Sequence, residues 1–280
     1  MNFDKMYHPI TATPFACNET YMELEPCAAL KPYIRCFWGS RKPYYEHKTD
    51  VPTHGIVTPD TCMDIIFSTD FTRNQVFNKF CGIDDRTFET CQANDAEKEV
   101  SVFAIRFYPW SAYLFAEDSL RDTKNAFFDV GYHFANIKKK LEPILFEVTD
   151  IRLRAVMTEK VLLEHFHPER ENHLLTEALG EMLGRKGSLE IGALSGELHT
   201  SSRTLERLFR EYIGISPKTF SSLVRYQCLW QDILYRPQFR ILDAVYCYGY
   251  TDQSHLMHDF GRFHGMNIAE ARRWAFEHSN

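Results

Sequence analysis

Between Tyr33 and Tyr108, apolar residues gather in short runs separated by turn formers. Tyr33–Trp38, Met63–Ser68, Gln75–Gly82 and Val100–Tyr108 are such runs, rich in aromatic and β-branched residues, and each predicts a strand. In Ser101-Val102-Phe103-Ala104-Ile105-Arg106-Phe107, large apolar residues alternate with smaller or polar ones, as in a half-buried strand. Lys42-Pro43, Thr58-Pro59-Asp60 and Ile83-Asp84-Asp85 predict the turns. A barrel or sandwich of roughly 110 to 120 residues is the natural closure for strands of this kind.

The period then changes to that of a helix. Ile151, Ala155, Leu162 and Phe166 lie on one stripe, and Leu153, Val156 and Leu163 form a second, while Pro168 ends the segment. Leu174, Leu175, Ala178, Leu179, Met182 and Leu183 make another helical face that stops at Gly184 and Gly187. Beyond Ser188 all segments read as helix: Leu189–Leu198, Ser201–Ile213, Pro217–Tyr235, Ile241–Tyr248, Asp252–His264 and Ile268–Glu277. The predicted class is α+β. A β-rich, barrel-like domain spans residues 1–168 and ends in a helix at about 150–167; an all-α domain spans 169–280.

Within the helical part the chain repeats itself. A shift of about 51 residues lays Ser201–Phe209 on Asp252–Phe260, and also brings Gly214 onto Gly265, Ser216 onto Asn267 and Leu194 onto Val245. Each copy has the size of a helix–turn–helix, whose second helix enters the major groove of DNA. Leu205, Leu208 and Phe209 form the inner face of the first copy, and Leu256 and Phe260 that of the second. Outward lie Ser202, Arg203, Glu206 and Arg207, and then Gln253, Ser254, His255 and His258: polar side chains suited to base edges and phosphates. Gly249 sits at a turn, where a left-handed backbone is cheap only for glycine.

These segments resemble the DNA-binding domain of AraC/XylS-type transcription regulators across residues 171–275. The resemblance rests on Arg203-Thr204-Leu205-Glu206-Arg207-Leu208-Phe209, Gly214-Ile215-Ser216-Pro217 and Gly249-Tyr250-Thr251-Asp252-Gln253-Ser254-His255-Leu256. Phe260-Gly261-Arg262-Phe263, Gly265 and Ala271-Arg272 extend it. It implies two helix–turn–helix units joined by a central helix at about Pro217–Tyr235, with base contacts from the eight outward residues in successive major grooves. It also implies double-stranded DNA and RNA polymerase as partners, with no cofactor. Arg207 has a competing role as an ion-pair partner or phosphate anchor, and Arg225 in the central helix reads as a structural ion-pair partner. Two departures concern the second copy: Ile268 stands where the family usually has proline, and Gly261 interrupts the recognition helix. Leu30–Trp38, Val57–Phe67 and Phe103–Pro109 resemble an uncharacterised domain that often precedes AraC-type DNA readers. Sensor domains in that family are often cupin-like barrels, in line with the strand pattern.

Net charge is −6, yet DNA binding needs a local cationic surface and not a basic chain. From Lys186 onward 11 Lys and Arg face 10 Asp and Glu, leaving 21 against 28 before it, so the acidity lies in the first part. Eight scattered cysteines without a Cys-x-x-Cys pair read as reduced thiols. His8, His47, His54 and Cys62 lack the compact spacing of a metal site, and Lys138-Lys139-Lys140 reads as a solvated face or turn. Enzyme signatures, membrane spans and a signal peptide are absent from the sequence, so a cytoplasmic, non-enzymatic protein is expected.

Aromatic residues are dense in the first part, either as a β-core or as the lining of an effector pocket. Trp38, Phe67, Arg106 and Tyr108 are the candidate effector contacts. Arg106 on a buried strand needs a partner, either Asp60 or Asp64 or an anionic ligand. The expected function is a small-molecule-controlled regulator of transcription, with the second stripe of helix 150–167 as homodimer interface or coupling element. The alternatives are control by a protein partner, or a group-transfer enzyme with an appended DNA reader.

Overall fold

The computed structural model describes residues 3–47, 49–94 and 97–278. Nine strands come first: β1 (Met22–Leu24), β2 (Ile34–Gly39), β3 (Tyr44–Glu46), β4 (Thr49–Val57), β5 (Met63–Asp70), β6 (Gln75–Cys81), β7 (Phe88–Asn94), β8 (Lys98–Phe107) and β9 (Phe127–Phe128). Seven form an antiparallel sheet in the order β1-β2-β8-β5-β6-β9, with β3 also on β8; β4 and β7 pair as a separate ribbon. The ladder ends at β1 and β9, which do not pair with each other, so among the described residues the sheet is open and not the expected closed barrel. Helices bury one face of this sheet and the ribbon stands over the other, which removes the need for closure.

Side-chain alternation gives the sheet two faces of different chemistry. The register sets Phe37 beside Ile105, Ile105 beside Ile65 and Phe67 beside Phe103. These residues, with Phe80 and Phe107, are fully buried. The adjacent positions Trp38, Asp64, Ile66, Lys79, Cys81 and Arg106 point the other way, towards the ribbon. The apolar face is covered by α1 (Ala135–Glu147) and α2 (Ile151–Glu164), and Phe134 at the start of α1 packs edge-on to Phe80 and stacks on Phe107. The sequence pattern reads Lys138–Lys140 as a solvated face or turn and Pro143 hides the helix, but Ile137, Leu141 and Leu145 at i, i+4 and i+8 are buried.

Arg154 of α2 is wholly buried without a carboxylate. Its guanidinium donates to the Val148 carbonyl at 2.6 Å, the Leu145 carbonyl at 2.6 Å and Ser101 Oγ at 2.5 Å. It therefore satisfies the orphan carbonyls at the end of α1 and ties both helices to β8. Burial without a counter-ion lowers its pKa to about 10, which leaves it charged near neutrality.

The rest is helical: α3 (His173–Gly184), α4 (Ile191–Glu197), α5 (Ser202–Tyr212), α6 (Pro217–Tyr235), α7 (Ile241–Cys247), α8 (Gln253–His264) and α9 (Ile268–Glu277). Local signals account for their bounds. Ser201 caps α5 through the Thr204 amide, Ser216 caps α6 through the Thr219 amide with Pro217 at its first position, and Asp252 caps α8 through the His255 amide. Without a proline at its first position, Ile268, α9 starts on a capping box of Asn267 and Glu270. Central α6 packs against α3, α5, α8 and α9 and is buried around most of its girth. No described helix is long and apolar enough to cross a membrane.

Replacing Arg154 with methionine removes three hydrogen bonds and strands the Leu145 and Val148 carbonyls, while Ser101 Oγ keeps Ser40 Oγ at 3.0 Å. Chemical denaturation should show a loss of about 3 kcal/mol; an unchanged midpoint would remove this clamp from the account of the fold.

Candidate nucleic-acid interface and ligand cavity

Two helix–turn–helix units are present, α4–α5 and α7–α8. Their turns differ by one residue: the left-handed positions are His199 at φ 48° and Gly249 at φ 65°. The supporting helices thus correspond at a shift one residue shorter than the recognition helices, and Leu194 lies opposite Ala244 rather than Val245. Leu205, Leu208 and Phe209 seal α5 inward, and Leu256 and Phe260 seal α8.

All eight outward residues reach solvent. Ser202, Arg203 and Arg207 are exposed on α5, and Gln253, Ser254, His255 and His258 on α8; Glu206 is half-buried. Arg203 and Arg207 have no ion-pair partner among the described residues, so both guanidinium groups are free for phosphate or guanine. Glu206 accepts from Arg210 Nε at 2.8 Å, which occupies it within its own helix. His255 accepts from the Thr251 amide at 3.4 Å and packs edge-on to Tyr250, so it also shapes the turn. Two cations were not singled out from sequence. Arg210 and Arg121 border one shallow groove with Arg203 and Arg207, and Arg121 comes from the connection between β8 and β9. A single chain signal, the i, i+3 and i+7 spacing of Arg203, Glu206 and Arg210, pointed at Arg210; none pointed at Arg121.

The second unit is less cationic. Arg262 turns back to Asp259 at 2.7 Å and lies over the Phe263 ring. Arg225 of α6 meets the same carboxylate at 3.0 Å and stacks on Tyr250, as a structural partner. Gly261 leaves room for a side chain, so it weakens α8 by about 1 kcal/mol relative to alanine with no packing return.

Both recognition helices are held at their C-terminal ends by the sheet-bearing part. The Glu211 carbonyl at the end of α5 accepts from the Leu120 amide at 3.0 Å and Ser119 Oγ at 3.2 Å, and its carboxylate pairs with Arg121. The following Gly214, at φ 80°, lies so close to Thr123 that a Cβ would overlap it. At the end of α8, the Phe263 carbonyl accepts from Thr87 Oγ1 at 2.5 Å and Gly265 abuts the Thr87 methyl. Between them, Gln227 of α6 is fully buried. Its amide accepts from the Ile10 amide at 2.9 Å and donates to the Ile10 carbonyl at 3.0 Å and the Pro59 carbonyl at 2.7 Å. Trp230 and Gln231 donate to the Thr11 and His8 carbonyls.

A cavity of ≈ 280 Å³ lies between sheet and ribbon. Trp38, Asp64, Ile66 and Arg106 form its floor, Ile56, Val57 and Phe88 its roof, and Thr11–Thr13 with Thr58–Asp60 its wall towards α6. Arg106 donates to Asp64 at 3.0 Å and pairs with Asp60 at 3.4 Å, so both acids partner it. Asp64 also accepts from the Trp38 indole at 2.8 Å. Of the four sequence candidates, Trp38 and Arg106 line the cavity. Phe67 points to the opposite, apolar face, and Tyr108 stacks on Trp110 and bonds His8 outside it. Strand parity separates them, because Ile66 and not Phe67 faces the ribbon. The His54 side chain lies outside the described residues, and among those described no three His, Cys, Asp or Glu converge on a metal position.

Residues 194–273 match the family model of a helix-turn-helix domain, and residues 22–129 that of a domain of unknown function, DUF6597. No curated protein matches the chain. Among solved structures, a transcriptional regulator of AraC-type DNA-binding domain-containing proteins from Chromobacterium violaceum is similar at 22% identity and TM-score 0.33, over 36% of this chain and 91% of that one. ToxT from Vibrio cholerae is similar at 11% identity and TM-score 0.41, over 83% of this chain and 98% of that one. ToxT bound to an unsaturated fatty acid gives 14% and 0.40, over 82% and 92%. The chain carries an AraC-type helix–turn–helix DNA-binding domain of a transcription regulator at its C-terminal end, preceded by a DUF6597 domain.

Arg203→Ala should relax sequence preference and cost about 1–3 kcal/mol at a cognate site, read by competition binding against scrambled DNA. Unchanged preference would take Arg203 off the base-reading face.

Proposed function

We propose that this regulator reads double-stranded DNA with α5 and α8 in successive major grooves, and that a small molecule in the sheet–ribbon cavity sets its affinity. Ser202, Arg203, Glu206 and Arg207 make the contacts of the first unit, with Arg210 and Arg121 on phosphate; Gln253, Ser254, His255 and His258 make those of the second. The division between sensor and reader falls at about residue 168. The protein works in the cytoplasm, where it acts on RNA polymerase bound nearby.

One observation carries the effector reading: the walls of the cavity are the surfaces that hold the reader. Thr11, Thr58 and Pro59 line the cavity, and the Thr11 and Pro59 carbonyls receive the bonds from Trp230 and Gln227 of α6. Phe88 lines it beside Thr87, which holds α8. Gly82 lines it and packs on Thr123, against which Gly214 after α5 rests. A ligand that spreads or closes these walls binds one arrangement of the recognition helices better than another, and this differential affinity is what shifts DNA binding. On α2, Leu153, Val156 and Leu163 remain exposed as an apolar stripe, and a homodimer buries it against its two-fold copy.

Gln227→Leu removes the bonds to Ile10 and Pro59 at nearly constant volume. Fractionated metabolite pools that raise the melting temperature of the full chain should alter DNA affinity of the wild type but not of this variant. A variant that responds like the wild type would sink the coupling route, and pools that never shift the melting temperature would sink effector control.

A further inference from the structure

We propose that the cavity takes a cationic small molecule, a compact aromatic or apolar body bearing a protonated amine, with Asp84 as counter-ion and Trp38 as the surface beneath the body. This deepens the effector reading above and rests on it.

The charges of the wall decide the sign. Asp60, Asp64 and Asp84 line the cavity, against Arg106 and Lys79. Arg106 is already committed to Asp60 and Asp64 by the bonds described above, so it offers little to an incoming carboxylate. Lys79 is exposed and lies over the Phe127 ring at 5.3 Å. Asp84 is the remaining charge: half-buried, with no hydrogen bond or ion pair among the described residues. Burial, then Asp60, Asp85 and Asp64, raise its pKa to about 6 against the weaker pull of Arg86, so near neutrality it is an ionised carboxylate short of a cation. An unpaired acid in a wall is costly for the fold alone, and a ligand amine would remove that cost.

A buried polar wall stands beside the acids. Thr58 is 4% exposed and lines the cavity, and its hydroxyl lies within reach of the Tyr226 hydroxyl, which bonds His264 Nδ1 at 2.8 Å. The walls suit a flat apolar body: Trp38 packs tilted against Tyr21 at 5.7 Å, and Phe88 meets Phe127 edge-on at 6.0 Å. The Arg106 guanidinium already lies over the Trp38 ring at 5.7 Å, so the ligand amine is left to Asp84.

Matched probes test the sign. The full chain is titrated at neutral pH with tryptamine and with 3-indolepropionate, which share a ring and differ in charge, by thermal shift and calorimetry. Tryptamine should raise the melting temperature, 3-indolepropionate should not, and Asp84→Asn should weaken tryptamine about tenfold or more. Without ligand the same variant should melt higher than the wild type, because it removes an unpaired carboxylate, so lost binding cannot be blamed on lost folding. Equal tryptamine binding by the variant overturns the role of Asp84. Preference for 3-indolepropionate overturns the cationic class while effector control stands. Silence with both probes also overturns the cationic class, and effector control falls only if metabolite pools of every charge are silent as well.

Discussion

The buried amide of Gln227 ties the central helix α6 to the sheet-bearing part of the chain. Its three bonds satisfy both ends of the amide with backbone from two separate segments, the N-terminal strap at Ile10 and the turn at Pro59. A bonded amide contributes about 1 kcal/mol per bond, but stranding a buried donor or acceptor costs about 1–3 kcal/mol. That asymmetry makes a partly broken contact costly. Trp230 and Gln231 extend the same seam, and the strap and turn are also cavity wall.

The sheet shows how one residue of register separates stability from chemistry. On β5, Ile65 and Phe67 pack beneath the helices while Asp64 and Ile66 face the ribbon; on β8, Ile105 and Arg106 divide the same way. The apolar face is continuous with the helical core, whereas the ribbon face is mixed and leaves a cavity. An open sheet covered by helices on one side and a two-stranded ribbon on the other can hold such a space without closing into a barrel.

Much of the helical architecture is legible in the chain, because its signals are local. Caps at Ser201, Ser216 and Asp252, stops at Gly214 and Gly265, and one inward stripe per helix place α5, α6 and α8 closely. The outward residues follow from the same periodicity. Features that depend on distant contacts were hidden. Pro143 masked α1, whose burial comes from the sheet. The ribbon strands β4 and β7 are interrupted by Gly55 and by polar residues, so neither reads as a strand alone. Arg106 announced its need for a partner, but that both Asp60 and Asp64 answer it required coordinates. Phe67 was drawn to the cavity by chemistry, and parity puts it elsewhere. Arg121 belongs to the DNA-facing groove only because its loop is pinned to Glu211.

The two reading heads are unequal. Four arginines gather around α5, while α8 offers amide, hydroxyl and imidazole groups and carries Gly261 within its span. In the proposed reading of DNA, phosphate attraction concentrates on the first unit, and the second adds selectivity through hydrogen bonds. Because both helix ends are pinned to the sheet-bearing part, their spacing is a property of the whole chain. Hydroxyl-radical footprinting of the full chain on a site selected from random DNA tests this most directly. The account requires two protected patches on one face of the duplex, about one helical turn apart, with the stronger one lost on Arg203→Ala. A single patch, or two patches on opposite faces, would contradict it.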